Sequence, residues 1–324
     1  MSHDFDGASG GTRVGMAPHT AGTDDMRLHL ITVLYNGADA LPAFLDSLKA
    51  QSFRDWRLIA IDNASPDDSG EIAAAAGDDR ITVVRNPANL GFAKAANQGL
   101  REAARAGGDF FVLFNPDTVF GPEFLGDFVA ARDRLDAQVI APRIMLLERP
   151  DRAWYAGGHL EQGWVFRNVH EDYDPHDTRT SRPVDFASGC CLGLTRHVLE
   201  RIGLFDESFF VYWEDTDFCL RLKEAGVPIV YVREPSLLHA GGAASGGEGS
   251  TGYNRLYYKS YVQFLRKHFG VSSALGTALR LVLQAAEQRR DYGVIARMAA
   301  AMLQGMVAPL VGESRLPQTP GHPR

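Results

Sequence analysis

From position 28 onward the chain alternates short apolar runs with longer amphipathic ones. Leu28-His29-Leu30-Ile31-Thr32-Val33-Leu34-Tyr35 is β-branched and apolar on both faces, the pattern of a strand buried inside a parallel sheet. The spacing predicts a helix over about 39–50 and a second strand over 57–62 that ends on the carboxylate of Asp62. Ser65-Pro66-Asp67-Asp68 then carries the capping and first-position proline signals of another helix. Strand 81–85, helix 92–106 and strand 110–114 continue the alternation. Repeated βα units of this length predict an α/β fold with a mostly parallel, doubly wound sheet, which gathers ligands at the carboxyl ends of its strands. Asp62 and Asp117 both fall at such ends.

Regularity fails over 140–184, where Gly, His, Asp, Arg and aromatic residues mix without a period; this stretch is expected to supply irregular hairpins over an acceptor site. It resumes with a strand over 189–195 and a helix to about 202. Over 214–225, Phe218, Leu222 and Ala225 recur at helical spacing, so one side is buried and the acidic amino end, Glu214-Asp215-Thr216-Asp217, opens to a cleft. A strand over 229–232 precedes Ser236-Leu237-Leu238-His239 and a Gly-rich stretch over 240–247 that reads as a mobile linker or lid. Helices are expected to about 311, followed by a frayed Pro-rich tail.

Composition narrows the function class. A net charge of −7 argues against general binding to nucleic-acid backbones. Three cysteines, two of them adjacent (Cys190, Cys191, Cys219), do not make a secreted disulfide framework and suit buried thiols in a reduced, cytoplasmic setting. The first 26 residues, rich in small and polar types, read as a disordered leader with no signal-peptide core. No run approaches the roughly 18 apolar residues of a membrane span. The nearest, 298–312, contains Gln304 and Pro309. The protein is therefore expected to be soluble, or peripheral on the inner face of a membrane.

Two carboxylate sites give the chemistry: Phe114-Asn115-Pro116-Asp117 closing a strand, where a divalent metal can sit, and Tyr212-Trp213-Glu214-Asp215-Thr216-Asp217 opening a helix, where a base can act. Together with Tyr35-Asn36, Asp62-Asn63-Ala64-Ser65-Pro66-Asp67, Asn89-Leu90-Gly91-Phe92-Ala93-Lys94-Ala95-Ala96-Asn97-Gln98-Gly99, Gly203-Leu204-Phe205-Asp206-Glu207 and His239-Ala240-Gly241-Gly242, they form an ordered set. In this set the chain resembles the family 2 inverting glycosyltransferases of GT-A fold, particularly their rhamnosyltransferase-like branch, over roughly 28–270. The resemblance implies a glycosyltransferase domain at 27–270, with a nucleotide-binding half to about 120 and an acceptor and catalytic half beyond. A C-terminal helical segment follows at 271–312, and a disordered tail at 313–324.

Residue by residue, the resemblance makes Asp62 a contact to the base or ribose of a nucleotide. It places Asn63, Asn89, Gly91, Asn97 and Asn115 in the donor pocket. An Asx turn with Ser65 is the plainer role for Asp62, and a helix N-cap for Asn89. Asp117 matches the metal carboxylate of the family's Asp-any-Asp signature, with Asn115 at the first position, and His239 matches a metal-ligand histidine of some relatives. The cofactor implied is Mn²⁺ or Mg²⁺, the imidazole favouring Mn²⁺. Asp215 matches the catalytic base, with Glu214, Asp217 and Arg221 supporting it, the last two spaced as an i,i+4 ion pair. The acidic stretch 170–177 reads as a solvated loop.

The resemblance further implies a nucleoside-diphosphate sugar donor, deoxythymidine-diphosphate rhamnose in this branch, and a lipid-linked or cell-surface glycan acceptor. A degenerate sugar-nucleotide-binding homologue would be expected to lose Asp117 or Asp215, and both are present. A nucleotidyltransferase lacks support, because no glycine-rich basic loop is positioned to receive a triphosphate. In the C-terminal segment Leu279, Leu281, Val282 and Leu283 sit near Arg280, Arg289, Arg290 and Arg297, which suits either an amphipathic membrane contact or packing on the domain or in a homo-oligomer.

Overall fold

The computed structural model describes residues 27–161, 167–170, 179–241, 251–288, 291–310 and 314–317. The expected leader, the acidic loop over 171–177, most of the Gly-rich linker, Arg289 and Arg290 lie outside the described residues.

The early alternation is present as expected: β1 (Leu28–Leu34), α1 (Leu41–Lys49), β2 (Trp56–Asp62), α2 (Ser69–Ala74), β3 (Ile81–Arg85), α3 (Phe92–Arg105) and β4 (Phe110–Phe114). β1 pairs in parallel with β2 and β4, and β2 with β3. The first strand is almost wholly buried because helices cover both faces, which is why its sequence does not alternate. After β5 (Thr118–Val119) and α4 (Phe124–Arg134) come β6 (Val139–Leu146), β7 (Ala153–Tyr155), β8 (Gly158–Glu161), β9 (Arg167–His170), β10 (Ser181–Val184), β11 (Cys191–Thr195), α5 (Arg196–Ile202), α6 (Glu214–Glu224) and β12 (Ile229–His239). The main sheet runs β10-β12-β6-β11-β4-β1-β2-β3, with β5 on β12 and β7 on β6; β8 and β9 form a separate hairpin. β11 is antiparallel to both neighbours, whereas β6 and β12 are parallel to each other. Phe114, Phe120, Phe124 and Phe128 stack successively under β4, with centroids 5.0–5.9 Å apart. Each such ring contributes roughly 1.5–3 kcal/mol on burial.

Two expectations are corrected. The stretch read as irregular from 140 contains β6, a buried interior strand, whose apolar run is disguised by Pro142 and Arg143. The strand expected to stop at 232 continues to His239 beyond a bulge between Val232 and Ser236, where Arg143 reaches across to the Glu234 carboxylate and the Ser236 hydroxyl.

α7 (Thr251–Glu287) is broken at Gly270, whose φ of +84° is non-helical. Its first half packs Tyr261, Val262, Phe264 and Leu265 against Phe209 and Trp213 in a second core. α8 (Tyr292–Val307) returns along α7 so closely that a Cβ on Gly305 would lie 2.3 Å from the Lys259 carbonyl oxygen. The Arg266 guanidinium bonds the carbonyls of Met306 and Ala308. Part of the tail expected to fray is docked: the Leu204 N–H donates to the Ser314 carbonyl at 2.8 Å, and Leu316 is buried in the main core.

Candidate functional site

The turn after β1 is held to the turn after β2 by side chains. Asn36 N–H donates to the Ser65 hydroxyl (2.7 Å), Gly37 N–H to that of Ser69 (3.1 Å), and Ala38 N–H to the Asp67 carboxylate (2.8 Å). Asp67 also accepts from both serine hydroxyls, at 2.5 and 2.6 Å. Burial works against its charge, but these donors prevail and hold its carboxyl down at about 2. Asp62 is half-buried at the same edge and accepts from Ser65 N–H at 3.0 Å, so the Asx turn is present. Its second oxygen lies over Gly70, where a Cβ would come within 2.2 Å.

Across the sheet, β5 is paired to the end of β12, with His239 opposite Thr118. Asp117 Oδ1 and His239 Nε2 are 3.2 Å apart, yet they are off the line of a hydrogen bond, and this oxygen and both ring nitrogens are buried without a hydrogen-bond partner. The Trp154 ring meets the imidazole edge-on at 4.6 Å. Burial disfavours charge on His239, but the adjoining Cys190 and the Asp117 carboxylate outweigh it and raise its pKa above the usual imidazole range. Burial pushes the Cys190 thiol up in turn. Unsatisfied buried ligand atoms of these types fit a divalent cation that takes its remaining ligands from phosphate and water. Among the described residues no group of three or more His, Cys, Asp or Glu side chains is arranged to hold a metal ion.

The turn 189–190 links this pair to the amino end of α6. Asn115 N–H donates to the Cys190 carbonyl at 2.8 Å, while Gly189 N–H approaches the Asp215 carboxylate at 3.3 Å. Asp215 is half-buried. Neighbouring Glu214 is buried: desolvation first, then the charges of Asp215 and Asp217, push its pKa well above the ordinary carboxyl value. Two successive non-glycine residues with left-handed backbone, Tyr212 (φ +65°) and Trp213 (φ +70°), aim the helix. Such conformations cost of order 1–3 kcal/mol each and persist only where the surroundings enforce them.

Residues 30–203, more than half of the chain, match the profile of Glycosyl transferase family 2. The chain belongs to that family. It is a nucleotide-sugar glycosyltransferase of GT-A fold. The N-acetylglucosaminyl-diphospho-decaprenol L-rhamnosyltransferase of Mycobacterium tuberculosis is 26% identical over 266 residues, covering 75% of this chain and 85% of that protein. A crystal structure of GalNAc-T7 with UDP, GalNAc and Mn²⁺ superposes with a TM-score of 0.60 at 16% identity, over 88% of this chain and 55% of that one. The mannosyltransferase PcManGT from Pyrobaculum calidifontis, in complex with GDP-Man and Mn²⁺, gives 0.53 at 15% identity, over 87% of this chain and 86% of that one. At these identities the solved structures show a shared fold.

Within this glycosyltransferase, Asp62, Asn89, Asn115, Asp117 and His239 lie at the carboxyl ends of strands or the turns that follow them, and Asp215 lies in the first turn of α6. Three residues expected in the donor pocket have other work. All four hydrogen-bonding positions of the Asn63 amide are taken: by Asn89, the Gly91 carbonyl, Asn86 and Leu90 N–H. It fastens the 86–91 loop to β2. Buried Asn97 grips the backbone of Phe205 from both sides and the Glu207 carboxylate. Gly91 is needed for a close approach, but to the chain itself: a Cβ there would lie 2.3 Å from the Phe210 carbonyl oxygen. Asn89 bonds Gly91 N–H at 2.9 Å just before α3, near the capping role weighed for it.

The i,i+4 pair is confirmed, with Arg221 Nε 2.9 Å from Asp217. Asp217 is fully buried and also receives Lys267 (2.6 Å) and His268 (2.7 Å) from α7, so it is a tie point of the enzyme and not a reserve base. Lys267 and His268 escaped the sequence reading, because they join Asp217 and the buried Asp206, which Lys267 meets at 2.7 Å, only through tertiary packing. A cavity of about 410 Å³ beside Val184, Cys219 and Ile229 sits at the amino end of β12, the opposite end from His239.

Proposed function

We propose that the enzyme transfers a sugar, with inversion, from a nucleoside-diphosphate sugar to a hydroxyl of a lipid-linked or cell-surface glycan. The observation that supports this reading is the 189–190 turn, which bonds both the half-buried Asp215 carboxylate and Asn115, two residues before the Asp117 of a buried, unsatisfied Asp–His pair. Asp215 takes the acceptor proton as the hydroxyl oxygen attacks the anomeric carbon. The bond from that carbon to the diphosphate breaks, and the diphosphate leaves with the electron pair. Asp117 and His239 would hold Mn²⁺ or Mg²⁺, which supplies charge neutralisation for a diphosphate. Asp62 receives the nucleotide through the oxygen its Asx turn leaves over. Similarity to the mycobacterial rhamnosyltransferase supports rhamnose as the sugar and a diphosphate-linked lipid as the acceptor carrier.

Titrating the purified protein calorimetrically with a panel of nucleotide sugars, with and without Mn²⁺, tests the donor assignment. A deoxythymidine-diphosphate sugar should bind most tightly and only with metal. Transfer should release nucleoside diphosphate; release of pyrophosphate from a triphosphate would contradict the reading.

A further inference from the structure

Of the nine large apolar residues that the described chain exposes, eight lie between 271 and 310. Val271, Leu275, Leu279 and Leu283 recur every four residues along the second half of α7, and Leu303, Val307 and Leu310 extend the surface along α8 and its end. Their exposures reach 61% at Leu279 and 81% at Val307, and Tyr292, at the start of α8, stands 89% exposed. Isolated apolar residues on a surface need no explanation, but a contiguous face on one helical hairpin marks a contact. The opposite sides of the helices are used: Ala274, Ala285, Met298 and Met302 are buried in the second core. Arg266 and the docked Ser314 segment fix the carboxyl end of α8 to the body, and Met298 and Met302 seat the helix itself in the second core, so this face is not a surface waiting to fold back onto its own domain.

We propose that this face docks the enzyme on the surface of an anionic phospholipid bilayer. Charge selects that occupant. The sequence from 271 to 312 carries four arginines against two acids, Glu287 and Asp291, within a chain whose total is −7. A second copy using the same patch would set these cations against their own mates, since a two-fold interface brings a surface to itself. An anionic headgroup layer meets them with opposite charge, while leucines enter the acyl boundary and Tyr292 supplies an interfacial ring.

Geometry decides between lying on the bilayer and crossing it. The helix over 254–287 has the length and composition of a span. Its first half, however, is bonded to the catalytic body through Ser260, Gln263, Lys267 and His268. Beyond Gly270 the apolar half extends only about 25 Å, short of the roughly 30 Å hydrocarbon core. The hairpin therefore lies in the interface. The proposal gives the lipid-linked acceptor a place on the molecule and rests on that reading, but its test reads vesicle binding and donor binding separately, so either can fail alone.

Full-length protein is floated with vesicles of phosphatidylcholine alone and with phosphatidylglycerol added. Wild type should float with the anionic vesicles and at least tenfold less with the neutral ones. Leu279→Asp/Leu283→Asp, and independently Leu303→Asp/Val307→Asp, should remain at the bottom with either, while binding the nucleotide sugar as wild type does; these side chains are exposed, so no core is lost. Failure of wild type to float, flotation unchanged in both double variants, or a lipid-free dimer that the variants convert to monomer would each overturn the proposal.

Discussion

Burial divides the labour among the three acids of the 214–217 turn. Glu214 is pushed toward its neutral form and Asp217 is locked in a cationic cage, which leaves Asp215 as the carboxylate able to meet a hydroxyl. Burial opposes the charge of Asp217, but His268, Arg221 and Lys267 hold its carboxyl at about 2. The folded pKa is below the unfolded one, so the stabilisation, about 2 kcal/mol, is complete above pH 4 and lost as pH falls through 2. Asp217→Asn should therefore melt lower than wild type at pH 7, and its stability should change less between pH 4 and 2. At the other end of the site, His239→Ala should raise the Mn²⁺ concentration needed for half-maximal transfer at least tenfold in protein that still folds, weakening metal use more than folding; an unmoved metal titration would return His239 to a packing role. The positions of Asp62, Asp117, Asp215 and His239 in the fold were legible because each closes or opens an element whose pattern is clear. The true roles of Asn63 and Asn97 were not, because an amide that binds a ligand and one that binds a loop look alike until its partners are seen.

Between elements, the first half of α7 acts as a clamp on the turn that launches α6. Tyr261 and Phe264 cover Trp213 at 4.4 and 5.1 Å, Ser260 bonds the Val211 carbonyl, and Lys267 joins Asp206 to Asp217. This clamp keeps the left-handed Tyr212–Trp213 backbone in place. Lys267→Met would leave two fully buried carboxylates short of a cation, and uncompensated buried charge costs about 3–5 kcal/mol. A thermal melt should show a fall of many degrees, along with reduced turnover in the folded fraction. Gly91→Ala should also destabilise, by roughly 1–3 kcal/mol, since it combines a φ of +83° with a collision against the Phe210 backbone; an unchanged melt would show that this loop can yield. Elements with an unbroken period, such as β1 to β4 and α3, were readable from sequence. β6 and the far half of β12 were not, because Pro142, Arg143 and the bulge before Ser236 interrupt the apolar pattern where a neighbouring strand supplies the order.

At the scale of the whole molecule, a reversed β11 stitches the parallel strands β4, β1, β2 and β3 to the β6–β12 pair, and the 189–190 turn just before it bonds both Asn115 and Asp215. The sequence order of the motifs announced the family, but only the sheet order explains why residues a hundred positions apart share one edge. The same body carries the apolar hairpin, so chemistry and membrane contact can be perturbed independently. The central claim is that Asp215 acts on the acceptor proton in a site whose donor binding is supplied elsewhere. Measuring turnover and donor affinity together in Asp215→Asn tests it most directly. The account predicts a loss of roughly a hundredfold or more in turnover with nucleotide-sugar affinity preserved; near-wild-type transfer by the folded variant, or loss of donor binding with the fold intact, would contradict it.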